Sequence, residues 1–117
     1  MSRTGLWDSH AHLDDEAFNE DREQLIAQLE QDMDGIVNPG CDAASSAVAV
    51  ELAEKYPFIY AAVGWHPENL KGIPADYLQQ LAEWAQHPKV VAIGEIGLDY
   101  HYEDVPRVQQ LIAFEQQ

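Results

Sequence analysis

Basic residues, cysteines and long apolar segments are all scarce in this sequence of 117 residues. Six lysines and arginines stand against 21 aspartates and glutamates, and the formal net charge of -15 argues against a surface that binds nucleic acid through bulk positive charge. The single cysteine cannot form an intrachain disulfide, which excludes a disulfide-stapled secreted miniprotein. No apolar run approaches the roughly 20 residues of a membrane-spanning helix, and Asp8 and His10 come too early for a signal-peptide core. We therefore expect a cytoplasmic protein with no membrane partner.

Several familiar catalytic and nucleotide-binding motifs are also missing. The sequence contains no Walker-type phosphate loop and no Gly-x-Ser-x-Gly nucleophile elbow, and the pair Gly94 and Gly97 does not open a helix as a dinucleotide-binding loop would. Nothing around Cys41 marks it as a nucleophile, so we expect a buried thiol. Hydrophobic residues make up 46% of the chain, which is enough for a real core.

Short apolar segments alternate with segments of helical period along the whole chain. The predicted strands are residues 6–13, 36–37, 58–63 and 90–93. The predicted helices are residues 16–33, 43–56, 75–86 and a fourth that begins at Pro106 and carries Val108, Leu111 and Phe114 on one face. The strands 58–63 and 90–93 are near-continuous apolar runs, typical of strands buried on both faces. This βαβαβαβα order predicts a parallel sheet with helical crossovers.

Polar residues lie where the predicted strands give way to loops, which is the edge of a parallel sheet where sites are built. His10 and His12 are two residues apart, so on a strand both imidazoles lie on the same face and can chelate one divalent ion. Asp8 alternates with them, and its carboxylate can orient the imidazoles. The alternative is that these are unrelated polar residues at a strand exit.

Glu95 follows the last apolar strand and lies between two glycines. A carboxylate at the end of a buried strand is costly unless it is paired or metal-bound, and lysines and arginines that could pair with it are scarce. With His10 and His12 it forms a mixed nitrogen and oxygen donor set that suits zinc or manganese better than magnesium. His66 and Asp99 occupy comparable strand-end positions, where satisfying the loop backbone is the alternative to a functional role.

Taken together, these segments resemble the TatD family of metal-dependent hydrolases, commonly described as deoxyribonucleases. The matching segments are DSHAHLD at residues 8–14, Val37-x-x-Gly40, AVGWHP at residues 62–67, VAIGEIGLDY at residues 91–100 and, more weakly, Gln110-x-x-x-Phe114-x-x-Gln117. The first motif is shared with the wider amidohydrolase-like group, whereas the string GEIGLDY is much more specific. The segments come in the family's order and at similar spacing.

The resemblance implies a (β/α)8 TIM barrel with one or two divalent ions, which could be zinc, manganese or magnesium. It implies that His10 and His12 bind a metal ion. It implies that Glu95 binds one ion or bridges two and takes part in catalysis, and that His66 has a catalytic role facing the substrate phosphate. Asp8 and Asp99 are expected to support the ligands or face the substrate. The implied reaction is hydrolysis of DNA phosphodiester bonds by metal-activated water.

The resemblance also implies that part of the family pattern is absent. Four βα units are half of the eight in a barrel of about 250 residues, so we expect residues 1–117 to be the N-terminal half of one barrel domain, truncated in the fourth helix. Two later histidine ligands and an aspartate of the family are missing, so we expect this chain alone to be weakly active or inactive. Two alternatives stay open: a related amidohydrolase acting on amide or ester bonds, and a non-catalytic metal-binding half barrel that self-associates through its open edges.

Overall fold

The computed structural model describes residues 4–117, which form four βα units in chain order. The strands are β1 (Trp7–Asp8), β2 (Gly35–Pro39), β3 (Ile59–Val63) and β4 (Val90–Ile93). The helices are α1 (Arg22–Asp32), α2 (Ala43–Lys55), α3 (Tyr77–Ala85) and α4 (Arg107–Gln116), with 3-10 turns at Glu16–Phe18 and Pro67–Asn69. All strand pairs are parallel and the sheet order is β1-β2-β3-β4. The predicted alternation of strands and helices is therefore confirmed.

The first unit differs from its prediction in two ways. β1 ends at Asp8 because the Asp8 carboxylate accepts the backbone N–H of His10 at 2.9 Å, which takes that donor away from the strand ladder. The predicted helix over residues 16–33 divides into the 3-10 turn and α1. The Asp15 carboxylate caps that turn by accepting the N–H of Ala17 at 2.8 Å.

The core lies between the sheet and helices α1, α2 and α3. Ile36 and Ile59 from adjacent central strands are fully buried against Ile26 of α1 and Ala49 of α2. β3 is buried along most of its length, as its apolar run predicts. The two central strands, β2 and β3, thus form a rigid base whose carboxyl ends lie side by side.

The prediction that β4 is buried on both faces is wrong. Val91 is 53% exposed, and the side chains of Ala92 and Ile93 are exposed as well. Within residues 4–117, β4 pairs with β3 alone and is an edge strand of the sheet. The predicted apolar face of α4 is also exposed, and the buried residues of that helix are Gln110 and Ala113.

Two glycines permit close approaches that shape the carboxyl end of the sheet. A Cβ at Gly40 would lie within 2.5 Å of the Ser46 Cα and would also overlap the Ser46 hydroxyl, so the end of β2 packs directly on the first turn of α2. A Cβ at Gly64 would lie 2.9 Å from the carbonyl carbon of Gly94, so the ends of β3 and β4 are in backbone contact. Within the described residues, no helix has the length and apolar character needed to cross a bilayer.

Candidate metal centre

Two imidazoles converge just beyond the end of β1. The Nε2 atoms of His10 and His12 lie 3.0 Å apart, and the rings meet edge to face with centroids 4.8 Å apart. Neither histidine is in a strand, which corrects the predicted strand geometry. The segment stays beside β2 because the N–H of Ala11 donates to the carbonyl of Val37 at 3.1 Å. This contact keeps the two side chains on the same side although the strand ladder has ended.

Glu95 approaches the two imidazoles from the opposite edge of the sheet, where it follows β4. It directly follows Gly94, whose N–H donates to the carbonyl of Val63 at 2.9 Å. The N–H of Glu95 itself donates to the carbonyl of Gly40 at 2.7 Å, across the ends of the two central strands, and the Gly94–Glu95 peptide is cis. The Glu95 side chain is 25% exposed, so it is sheltered but reachable from solvent. The sequence-predicted carboxylate therefore lies at the carboxyl end of the sheet, beside the imidazoles.

The three side chains could hold a divalent ion. Oε1 of Glu95 lies 3.8 Å from Nε2 of His10, and Oε2 lies 3.4 Å from Nε2 of His12. One donor atom from each residue falls within a cluster no wider than 4.8 Å. Zinc bonds of about 2.0–2.1 Å in a tetrahedron put neighbouring donors about 3.3 Å apart, close to the separations seen here. The ion pairs of Glu95 within residues 4–117 are both with imidazoles, which are neutral when they act as ligands, so the carboxylate charge is left for a cation.

His66 lies in the same cavity but outside this cluster. The cavity is an open cleft of about 420 Å³ lined by His12, Asp14, Asp15, Cys41, His66, Glu68, Asn69 and Glu95. The backbone N–H of Glu68 donates to Nδ1 of His66 at 3.0 Å, so the neutral ring carries its proton on Nε2. A protonated Nε2 is a hydrogen-bond donor and has no lone pair for a metal. The structure thus presents His66 to the cleft as a donor.

Asp8 and Asp99 do not join the cluster. The Asp8 carboxylate contacts the backbone of His10 rather than its ring. The Asp99 carboxylate accepts the N–H of His101 at 3.0 Å, and Asp99 lines a neighbouring cavity of about 240 Å³. That cavity shares Glu68 and Asn69 with the cleft beside His12 and Glu95, so the two adjoin. A substrate-facing role for Asp99 stays a prediction.

Cys41 lines the cleft without the features of a nucleophile. It is partly rather than fully buried, and its Sγ lies 3.4 Å from the Ser45 hydroxyl. Burial raises the pKa of the Cys41 thiol, and the nearby carboxylates of Asp42 and Glu95 raise it further. The thiol is therefore held protonated near neutral pH.

The structure gives a place in the site to two residues, Asn38 and Asp14, to which the sequence analysis assigned no role. Asn38, at the carboxyl end of β2, is fully buried, and its Nδ2 donates to Oδ1 of Asp14 at 3.1 Å. Oδ1 of Asp14 in turn lies 3.9 Å from Nδ1 of His12. The signal that could have found this pair is a polar amide directly after an apolar strand, where burial demands hydrogen-bond partners.

Four parallel βα units carry two imidazoles and a carboxylate at the carboxyl end of their sheet, which is the edge where sites are built in parallel α/β folds. The family model described as "TatD related DNase" matches residues 7–117. The chain belongs to the TatD family, as its motifs predict.

Relatives and solved structures agree with this assignment. The chain is 41% identical over 113 residues to the uncharacterized metal-dependent hydrolase YabD of Bacillus subtilis (strain 168), covering 96% of this chain and 44% of the relative. It is 32% identical over 114 residues to a protein of Pantoea sp. (strain At-9b) named 3'-5' ssDNA/RNA exonuclease TatD, covering 96% of this chain and 44% of the relative. It superposes with a TM-score of 0.83 and 34% identity on the crystal structure of YjjV, a TatD homologue from Escherichia coli K12, covering 95% of this chain and 44% of the other. The predicted half of a TIM barrel is thereby confirmed, and the chain spans less than half the length of these relatives.

Proposed function

We propose that this chain is part of a hydrolase that cleaves DNA phosphodiester bonds with one or two divalent ions held by His10, His12 and Glu95. The convergence of the three donor atoms within 4.8 Å carries this proposal. Membership of the TatD family supports it, and the relative named as an ssDNA/RNA exonuclease supports a nucleic-acid substrate. The proposed compartment is the cytoplasm, for which the low cysteine content is the supporting feature.

The chemical roles follow from the donor types. When bound, a divalent ion polarises a phosphoryl oxygen and makes water acidic enough to be a nucleophile near neutral pH. The imidazoles supply neutral nitrogen ligands, and the two oxygens of Glu95 face different imidazoles, which suits a carboxylate that spans a metal centre. The local positive charge would offset the -15 net charge where DNA approaches.

His66 is proposed to bind the substrate phosphate. Its Nδ1 is occupied by the N–H of Glu68, which leaves the Nε2–H to donate to a phosphoryl oxygen in the cleft. This assignment separates His66 from the metal ligands by its protonation pattern. We further propose that the isolated chain is weakly active or inactive, because the family's later histidines and aspartate are absent from it.

The experiment is a substrate comparison on the complete protein that carries this sequence. End-labelled single-stranded DNA is assayed with Zn²⁺, Mn²⁺ or Mg²⁺ beside p-nitrophenyl esters and small amides. Metal-dependent release of nucleotides, lost in Glu95→Gln, is the expected result. Turnover of amides or esters without cleavage of DNA would replace this proposal with the amidohydrolase alternative.

A self-associating metal-binding half barrel is the second candidate, and exposed apolar residues favour it. Val91 of β4 and Val108 and Phe114 of α4 are exposed in the described part of the chain. Size-exclusion chromatography with light scattering on the 117-residue chain tests this candidate. A stable dimer that binds Zn²⁺ without turnover would support it, whereas a monomer would count against it.

A further inference from the structure

The Asn38 amide joins the end of β2 to the segment that carries the histidines. Its Oδ1 accepts the backbone N–H of Leu13 at 2.7 Å, and its Nδ2 donates to Oδ1 of Asp14 at 3.1 Å. The amide orientation is fixed, because the N–H of Leu13 requires an acceptor and the carboxylate requires a donor. An amide that is fully buried and bonded at both ends is a rigid support.

Arg22 of α1 holds the backbone on both sides of Asp14. Its Nε donates to the carbonyl of Leu13 at 2.6 Å, and its Nη2 donates to the carbonyl of Asp15 at 2.9 Å. The Asp14 side chain is thus held by Asn38, and the main chain on both sides of it is held by the guanidinium group of Arg22. Its carboxylate position is set before any ligand arrives.

The two ring nitrogens of His12 face different groups. Nδ1 lies 3.9 Å from Oδ1 of Asp14, whereas Nε2 lies 3.4 Å from Oε2 of Glu95 and 3.0 Å from Nε2 of His10. A carboxylate on the Nδ1 side favours the tautomer with its proton on Nδ1, whereas the closer Glu95 carboxylate favours a proton on Nε2 until a bound cation takes up its charge. The separation of 3.9 Å exceeds a direct hydrogen bond, so the carboxylate acts on Nδ1 through its charge. The Nδ1–H tautomer leaves the Nε2 lone pair directed at the cluster.

We propose that Asp14, held by Asn38, is a positioning residue that keeps His12 in the Nδ1–H tautomer with Nε2 ready to bind a metal. The inference rests on the metal site proposed above. The Asp8 carboxylate near His10 instead accepts the His10 backbone N–H. The alternative is a purely structural role, in which the pair only ties β2 to the following segment.

Zinc affinity of Asp14→Asn is the first test, with Asp15→Asn as the matched control. Asp15 lines the same cleft, loses the same charge, and its Oδ1 bond to the N–H of Ala17 can be kept by asparagine. With Zn²⁺ alone in a chelator-competition titration, Asp14→Asn is expected to weaken binding about 10–100-fold. Asp15→Asn is expected to change it by less than about threefold, the scale of an exposed charge. Equal effects of the two substitutions would overturn the proposal.

An exchange of the two side chains separates positioning from structural support. In the double variant Asn38→Asp, Asp14→Asn the hydrogen bond can form in the reverse direction, while the carboxylate moves away from His12. The expected result is a melting temperature restored relative to Asn38→Asp, with zinc binding still weakened about tenfold or more. Zinc affinity that returns together with stability would show a structural role and overturn the proposal.

The tautomer itself gives a readout that needs no variant. Long-range ¹⁵N–¹H correlation spectra of the wild-type chain with one equivalent of Zn²⁺ report which nitrogen of His12 carries the proton. A protonated Nδ1 is expected, and a predominantly protonated Nε2 would overturn the proposal even if Asp14→Asn failed to fold. A wild-type chain that binds no zinc yet shows the Nδ1–H tautomer would instead remove the proposed metal site and leave the positioning contact intact.

Discussion

The Nε2 atoms of His10 and His12 lie 3.0 Å apart, although the strand ends before either residue. The two-residue spacing predicts convergence through strand alternation, but the structure achieves it differently. The N–H of Ala11 donates to the carbonyl of Val37, and Asn38 accepts the N–H of Leu13, so the main chain stays beside β2 after β1 has ended. The proposed metal centre therefore depends on backbone anchors outside the sheet as well as on its three donors.

Glu95→Gln is expected to weaken Zn²⁺ binding at least about tenfold, which is about 1.4 kcal/mol. The substitution keeps the shape of the side chain but removes the negative charge that the neutral imidazoles leave for the cation. Chelator-competition titration measures the affinity, and Glu68→Gln, in the same cleft but outside the cluster, is the matched control. Equal affinities for the two variants would contradict a ligand role for Glu95.

His66→Ala is expected to lower kcat/KM on single-stranded DNA about 100-fold in the complete protein, the scale reported for one lost donor to a developing oxyanion. Zinc affinity should not change, because the Nε2 of His66 carries a proton and is not a ligand. His87→Ala is the control, since His87 pairs with Glu54 at 3.2 Å and is outside the cleft. A loss of zinc affinity in His66→Ala would instead make His66 a ligand.

Gly40→Ala is expected to destabilise the fold by about 1–3 kcal/mol through overpacking. The added Cβ would lie within 2.5 Å of the Ser46 Cα, which belongs to α2 and cannot rotate away. Gly72→Ala is the comparison, because its backbone has φ +73° in open space and its cost is conformational, about 1–2 kcal/mol. Urea unfolding measures both, and the unfolding slope must match that of the wild type. An unchanged stability of Gly40→Ala would show that the close approach is not rigid.

Cys41 is expected to react slowly with iodoacetamide near pH 8. Burial raises the pKa of its thiol, and only the thiolate reacts, so the folded chain holds less reactive thiolate than the urea-unfolded chain at the same pH. The rate should rise as the pH passes above the ordinary thiol pKa. A folded chain that reacts faster than the unfolded chain at pH 8 would mean that the thiol is activated instead.

The order of the fold is predictable from the sequence because each βα unit has its own local signals. The apolar run before Gly64 predicts β3 and its burial, and the predicted helix over residues 43–56 agrees with α2 to within one residue at each end. Exposure of β4 and of the apolar face of α4 is not predictable in this way. An apolar run such as the one through Val91 indicates that a strand would be stabilised by burial. Whether the strand is buried depends on neighbouring strands and helices, which the local sequence does not specify.

The side chains that could bind a metal are predictable from the sequence, whereas the residues that hold them in place are less so. His10, His12 and Glu95 follow from position and donor type, and the structure brings all three together. The contact between Asn38 and Asp14 is not predictable from local sequence, because it spans 24 residues and depends on burial at the end of β2. Asp99 shares a motif with Glu95 and lies in the neighbouring cavity, and its substrate-facing role stays a prediction.

X-ray absorption spectroscopy of the chain loaded with one equivalent of Zn²⁺ tests the metal centre most directly. Scattering from two imidazole nitrogens at about 2.0–2.1 Å with additional oxygen is the predicted result, and the imidazole count should fall to one in His12→Ala. A spectrum without histidine scattering, or one dominated by sulfur at about 2.3 Å from Cys41, would contradict a centre built from His10, His12 and Glu95.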